Sequence, residues 1–165
     1  REYCINKGFM KAEYLRAVKV LKSQGVGVRT YLFVKPPFLT EREALDDMKA
    51  SIDFAKKYSQ TISFNFPVVW RDTLLDILFR KGEYRPPWLW TGVEILNYAF
   101  KTGKNISLSM LGAGTSRGVH NCGKCDRKLI ELFKESILLQ KPMFGKFTCE
   151  GKREWEEIMC MELLR

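Results

Sequence analysis

Apolar positions recur along this chain with two alternating periods, and the alternation points to a fold class before any motif does. Met10, Tyr14, Ala17, Val18 and Leu21 fall at helical spacing and mark one face of an amphipathic helix. Gly25 and Gly27 end it. Val28 to Val34 is rich in β-branched and aromatic residues and reads as a strand. Lys35, Pro36 and Pro37 stop it, because proline cannot donate to a sheet ladder. Thr40 and Glu43 form a capping box for a helix that carries Ala44, Leu45, Met48, Ile52 and Ala55 on one face. Thr61 to Phe66 is the next strand, ended by Pro67.

Asp72 reads as the N-cap of a short helix with Leu74, Leu75 and Leu78, closed by Gly82. Glu83 to Trp90 is a rigid aromatic connection. A further helix runs to about Lys101, with Val93, Leu96 and Phe100 inward. Ile106 to Met110 is the third strand. Asp126 is expected to cap a helix with Leu129, Ile130, Phe133 and Ile137, and Lys141-Pro142 ends that helix. Residues 143–150 read as irregular, and Glu154 to Leu164 as a last helix.

The order αβαβααβαα implies a parallel sheet with helical crossovers. Three such strands make few for a free-standing domain. The expected fold is therefore α/β: the C-terminal part of an incomplete parallel β/α barrel, with extra C-terminal helices. Residues 1–142 would form the barrel part and 143–165 a helical extension. The chain opens at Arg1 and not at methionine, which agrees with a piece of a longer protein.

Charge changes the picture next. Lysine and arginine number 28 against 19 acidic residues, a net +9. That surplus favours a polyanionic partner, nucleic acid first. No apolar run reaches the length of a membrane-spanning helix. Five cysteines, with no visible signal peptide, suggest reduced thiols or metal ligands and a cytoplasmic setting.

Candidate chemistry concentrates between Ser107 and Cys125. The stretch holds Gly112, Gly114 and Gly118, then Arg117, the lone histidine His120, and the pair Cys122 and Cys125. Glycines let backbone approach a ligand. Loops leaving the C-terminal ends of parallel strands are where such folds place chemistry. The cysteine pair has the spacing of a zinc knuckle, with His120, Cys149 and Cys160 as further ligand candidates. Arg117 can grip a phosphate or carboxylate through a forked pair of hydrogen bonds. Arg85, Trp88 and Trp90 set a cation beside two aromatic faces on which bases could stack. Asn65 lies among aromatics near a strand end. Lys35 and Arg71 follow strand ends and are candidates for phosphate or carboxylate contacts.

Several of these segments resemble a known family. Phe33 to Glu41 reads FVKPPFLTE, Arg85 to Trp90 reads RPPWLW, and Gly118 to Asp126 reads GVHNCGKCD. Asn6-Lys7-Gly8, a helix, Gly25-Val26-Gly27 and a strand follow one another as in the Elongator catalytic-subunit branch of radical S-adenosylmethionine (SAM) enzymes. The closer resemblance is to the archaeal radical SAM family that includes the radical SAM subunit of archaeosine synthase. It covers nearly the whole chain and implies a C-terminal half of the radical SAM barrel.

The resemblance implies a tRNA-modifying lyase of archaeosine biosynthesis. Its partners would be tRNA and the lysine-transferring archaeosine synthase subunit, with no membrane. The reaction it implies is cleavage of a carbon–nitrogen bond in a lysine adduct of a 7-deazaguanine base. Its cofactors would be SAM and a [4Fe–4S] cluster held by thiolates. In the family those thiolates are three cysteines spaced three and two residues apart, in the N-terminal half. This chain has no such triplet, so it is expected to be inactive alone. Asn65 and Lys35 would lie on the SAM or substrate side, and Arg117, Arg85, Trp88 and Arg71 would meet nucleic acid or substrate. Two readings from other classes remain: a non-catalytic zinc-knuckle module that binds nucleic acid, and a thiol oxidoreductase.

Overall fold

The computed structural model describes residues 8–163. The order is α1 (Lys11–Ser23), β1 (Arg29–Phe33), α2 (Glu41–Ala55), β2 (Thr61–Asn65), α3 (Leu74–Arg80), α4 (Leu89–Phe100), β3 (Asn105–Ser109), α5 (Asp126–Leu139) and α6 (Glu150–Met161). The strands form one parallel sheet in the order β1-β2-β3. Arg29 pairs with Thr61, and Thr61 with Asn105. The expected α/β class and parallel pairing are both present. The start of the Asn6-Lys7-Gly8 turn, and Cys4, lie outside the described residues.

Register sorts the two sheet faces, because side chains alternate along a strand. Thr30, Ile62 and Ile106 share one face with Leu32, Phe64 and Leu108. Ile62, Phe64 and Ile106 are buried there against α2, α4 and α5. The opposite face carries Tyr31, Ser63 and Ser107, then Phe33, Asn65 and Ser109. It is largely polar; Ser63 and Ser107 join their hydroxyls at 2.8 Å. A sheet that buries one apolar face under helices and keeps a polar second face separates stability from chemistry.

Helix boundaries follow from local chemistry. The Thr40 hydroxyl accepts the Glu43 amide and Glu43 reaches back to the Thr40 amide, so the capping box of α2 forms as expected. Its Ala44, Leu45, Met48, Ile52 and Ala55 are all buried. Four expectations need correction. The N-cap of α3 is Thr73, whose hydroxyl accepts the Asp76 amide, while Asp72 sits one residue outside with φ +61°. The helix α4 begins at Leu89, inside the presumed connection, because Leu89 and Trp90 are core residues. Asp126 is the first residue of α5 and not its cap; its carboxylate accepts the amides of Asn121 and Gly123 in the loop before it. The helix α6 starts at Glu150, four residues early, with Cys149 at the cap position.

One core runs through α2, α4, α5, α6 and the sheet. Gly92 of α4 is where it is tightest: an added Cβ would lie 2.9 Å from the Phe133 ring and 3.0 Å from that of Phe66. Trp155 and Met159 of α6 belong to this same core. The first helix contrasts with it. Of the face predicted for α1, Val18 is buried, but Met10 is 53% and Leu21 39% exposed.

Candidate functional site

The loop between β3 and α5 is folded onto its neighbours by close backbone approach. Gly118 could carry no side chain: its Cβ would lie 2.1 Å from the carbonyl oxygen of Gly112. Gly112 and Gly114 take φ of +68° and +81°, which glycine adopts freely. The amide of Val69, in the loop after β2, donates to the Arg117 carbonyl at 2.8 Å, and the Arg117 guanidinium donates back to the Val69 carbonyl at 2.8 Å. The loops after β2 and β3 thus form one surface at the C-terminal end of the sheet.

Arg117 spends its fork inside the protein. Its other arm lies 2.9 Å from the Asp76 carboxylate, and its plane lies over the Phe79 ring. Burial alone would raise the Asp76 pKa, but the hydrogen bonds from Arg80, Arg117 and the Asp72 amide outweigh it and hold it low. Arg85 is committed in a similar way. It donates to the carbonyls of Pro86, His120 and Asn121 and stacks on Trp88 at 4.0 Å. Trp88 is buried, and so is Trp90. These two tryptophans offer no open stacking face; the RPPWLW segment is a brace between α4 and the loop. Arg71 is exposed.

Lys35 and Asn65 stand at the ends of β1 and β2 respectively. Lys35 is buried in an ion pair with Glu41 at 2.6 Å. Its φ of +50° is a strained value for a lysine, held by the prolines after it and by the Tyr84 hydroxyl on its carbonyl at 3.0 Å. Glu41 also accepts from the Trp88 amide at 2.7 Å and from the Thr91 hydroxyl, and Trp155 Nε1 donates to Thr91. Sequence reasoning missed Glu41. Its place beside Thr40 reads as an ordinary first-turn acid, and nothing local signals that it is buried. Asn65 is half-buried at the rim of the polar sheet face.

The early start of α6 brings the cysteines together. The sulfur atoms of Cys122, Cys125 and Cys149 all lie within 4.8 Å of one another, and Cys122 and Cys125 Sγ are 3.8 Å apart as free thiols. Gly151 makes the approach feasible, since a Cβ there would lie 2.9 Å from Cys122 Sγ. Burial opposes ionisation of Cys122, but the backbone amides of Lys124, Cys125 and Gly151 aim at the thiol and bring it below its ordinary value. Burial pushes the Cys125 thiol up to about 12, with the Cys149 thiol as the next cause. Asn121 Nδ2 reaches Cys125 Sγ at 3.5 Å, and Asn121 is held by the Trp90 amide and the Asp126 carboxylate. An open cavity of about 460 Å³ borders the three thiols, with Lys124, Lys128, Phe147 and Glu150 around it. His120 is not in this group: its Nδ1 meets the Gly118 carbonyl at 2.7 Å, and burial lowers its pKa. Cys160 also lies outside the group and is exposed. Cys122, Cys125 and Cys149 can hold a metal ion.

Fold and site describe an α/β protein with a polar sheet face, a braced loop at the C-terminal strand ends, and a three-thiol centre beside it. Comparison with known proteins then narrows the class. The chain is 39% identical to archaeosine synthase subunit beta of Methanosarcina acetivorans over 165 residues, which is 98% of this chain and 48% of that protein. It is 43% identical to archaeosine synthase subunit beta of Thermococcus kodakarensis over 120 residues, 72% of this chain and 37% of that protein. An uncharacterized protein of Methanocaldococcus jannaschii is 34% identical over 171 residues, covering 98% of this chain and 46% of that protein. These similarities support the archaeosine synthase family. The chain spans about half the length, or less, of the curated relatives it matches. No protein-family model and no solved structure matches it. No helix among the described residues is long and apolar enough to cross a membrane.

Proposed function

We propose that this chain is the C-terminal half of a radical SAM subunit of archaeosine synthase, working with a lysine-transferring partner subunit on tRNA. The observation that carries this reading is the 39% identity to archaeosine synthase subunit beta across 98% of the chain. The parallel sheet with one polar face supports it, because a β/α barrel lined by that face needs strands of this kind. In this reading the enzyme cleaves a carbon–nitrogen bond of a lysine adduct on 7-deazaguanine, leaving the amidine of archaeosine. SAM and its [4Fe–4S] cluster would supply the radical chemistry. The thiols of Cys122, Cys125 and Cys149 do not fit such a cluster, whose cysteine sulfurs sit on different irons and so stand farther apart than these. The cluster ligands are assigned to a part of the protein outside this chain.

This chain's own residues build one wall of the site. Asn65 presents an amide at the rim of the polar face, where SAM or the base would lie. Lys35, neutralised by Glu41, fixes the proline loop after β1. Arg85, Trp88 and Arg117 shape the loop surface that receives tRNA, and Arg71 projects a free-standing cation toward phosphate. The net +9 charge supports binding that weakens steeply with salt, as counterions return to the nucleic acid.

The test uses the full-length protein with its cluster reduced, its partner subunit, SAM and tRNA bearing the lysine adduct. Nucleoside mass spectrometry should find archaeosine. Asn65→Ala should lower kcat/KM by about tenfold or more, the loss of one oriented hydrogen bond in a dry site. Intact adduct with a competent, reduced cluster would refute the reading.

A further inference from the structure

We infer that Cys122, Cys125 and Cys149 bind a single tetrahedral zinc ion, and that this ion staples α6 to the loop between β3 and α5. The argument begins with distances. A Zn–S bond of about 2.3 Å in a tetrahedron places neighbouring sulfurs about 3.8 Å apart. Cys122 and Cys125 Sγ are 3.8 Å apart, and the whole trio falls within 4.8 Å. A disulfide would need about 2.05 Å between its sulfurs. The spacing is that of ligands around one ion.

The surroundings are those of a ligand set and not of three chance thiols. Cys122 Sγ is bracketed between Cys125 Sγ at 3.8 Å and the first turn of α6 at Gly151. The Asn121 amide group holds Cys125 from the other side, and Asp126 in turn holds the Asn121 backbone. Groups that orient metal ligands in this way are a regular part of metal sites. Gly151 is buried against Cys122 and admits no side chain.

The two sides of the trio come from distant segments, the loop at 122–125 and the start of α6 at 149. An ion between them closes a loop of chain and fixes α6, whose Lys152 lies over the Trp90 ring at 5.4 Å, and with it the segment before α6, where Phe147 stacks on Trp90 at 6.0 Å. No other histidine, cysteine or carboxylate among the described residues joins the three within 4.8 Å. The fourth position faces the cavity, open to a ligand from outside the described residues or to solvent. The inference does not depend on the enzymatic reading, since the ion is structural and bears on α6 and the loop.

The test is metal analysis of the full-length protein beside its variants, all prepared alike. Wild type should carry one more zinc per chain than Cys149→Ser, while Cys160→Ser keeps the wild-type content. Cys149→His should restore the ion, since imidazole is also a zinc ligand. Cobalt loaded in place of zinc should give the intense absorption of tetrahedral thiolate coordination, lost in Cys149→Ser. Chelation should raise hydrogen exchange in 110–125 and 149–161 while β2 stays protected. If Cys149→Ser does not fold, Cys149→His and the cobalt spectrum of wild type decide the matter alone. Equal zinc in wild type and Cys149→Ser overturns the inference. So does a wild type that takes up neither zinc nor cobalt, or one whose extra metal is iron.

Discussion

The two flanks of the sheet are built to different standards. On the β3 side, α4 and α5 close over the apolar face, and Leu89, Ile95, Leu96, Leu129 and Phe133 have no exposed surface. On the β1 side, the strand alternates between exposed and half-buried, and α1 buries Val18 among its residues while leaving Val20 63% and Leu21 39% exposed. The same amphipathic periodicity therefore yields a core helix in one place and a loosely seated one in another. Periodicity states which residues share a face. It does not state what covers that face. The β3 flank has its cover within this chain, and the β1 flank offers Tyr31, Val20 and Val26 to whatever lies beside it.

The largest expected effect tests that asymmetry directly. Phe133 is fully buried, with its ring edge-on to Phe144 at 5.0 Å and against Gly92. Phe133→Ala should cost about 3–5 kcal/mol, the range for emptying a tightly packed aromatic site. Leu21→Ala should stay within about 0.5 kcal/mol, as surface changes do. Urea unfolding of the two variants reads both numbers. Similar midpoint shifts would mean that the flanks are equally packed and the contrast is false.

A smaller effect sharpens how the closed side is held at its loop end. The Asp76 carboxylate ties α3 to the loop through Arg117 and also pairs with Arg80 one turn along its own helix. Its folded pKa lies below the unfolded value of about 3.9. Its contribution to stability is therefore present above that unfolded value and is lost as pH falls through the folded one. The stability gap between wild type and Asp76→Asn should be widest near neutrality and shrink in acid. A gap that is constant across the titration would show that Asp76 acts through shape and not charge.

Much of the fold was legible because its signals are local. The capping box at Thr40 and Glu43, the prolines after β1 and β2, and the helical stripe of α2 each work within a few residues. The parallel pairing of the strands followed from alternation alone. What escaped depends on contacts far apart in sequence. Glu41 is buried because Lys35, Trp88 and Thr91 converge on it, and no first-turn pattern encodes that. The loop's Arg117 reads as a free cation until Asp76 and Val69 are placed beside it. The start of α6 was missed by four residues for the same reason: no capping side chain marks it, and Cys149 stands at the cap with no side-chain hydrogen bond. Cys122 and Cys125 were visible as a pair by spacing, whereas their union with Cys149 rests on where α6 begins.

The smallest effect bears on the open flank itself. Tyr31 is 52% exposed on β1, an edge strand among the described residues. Lysine is a natural edge residue, since its charge stays in water and discourages pairing. In the 165-residue chain, Tyr31→Lys should change stability by no more than about 0.5 kcal/mol, the scale of surface substitutions. The outcome in a longer chain is different if the sheet continues past β1, as a β/α barrel requires. Tyr31 would then point into the barrel beside a new neighbour, and the lysine would be desolvated there. The cost should rise to about 1–3 kcal/mol, the range for a buried polar group without a partner. Unfolding of the same variant in both lengths gives the comparison. Equal, small costs in the two would mean that β1 remains an edge in the longer protein, and the barrel reading would fall with it.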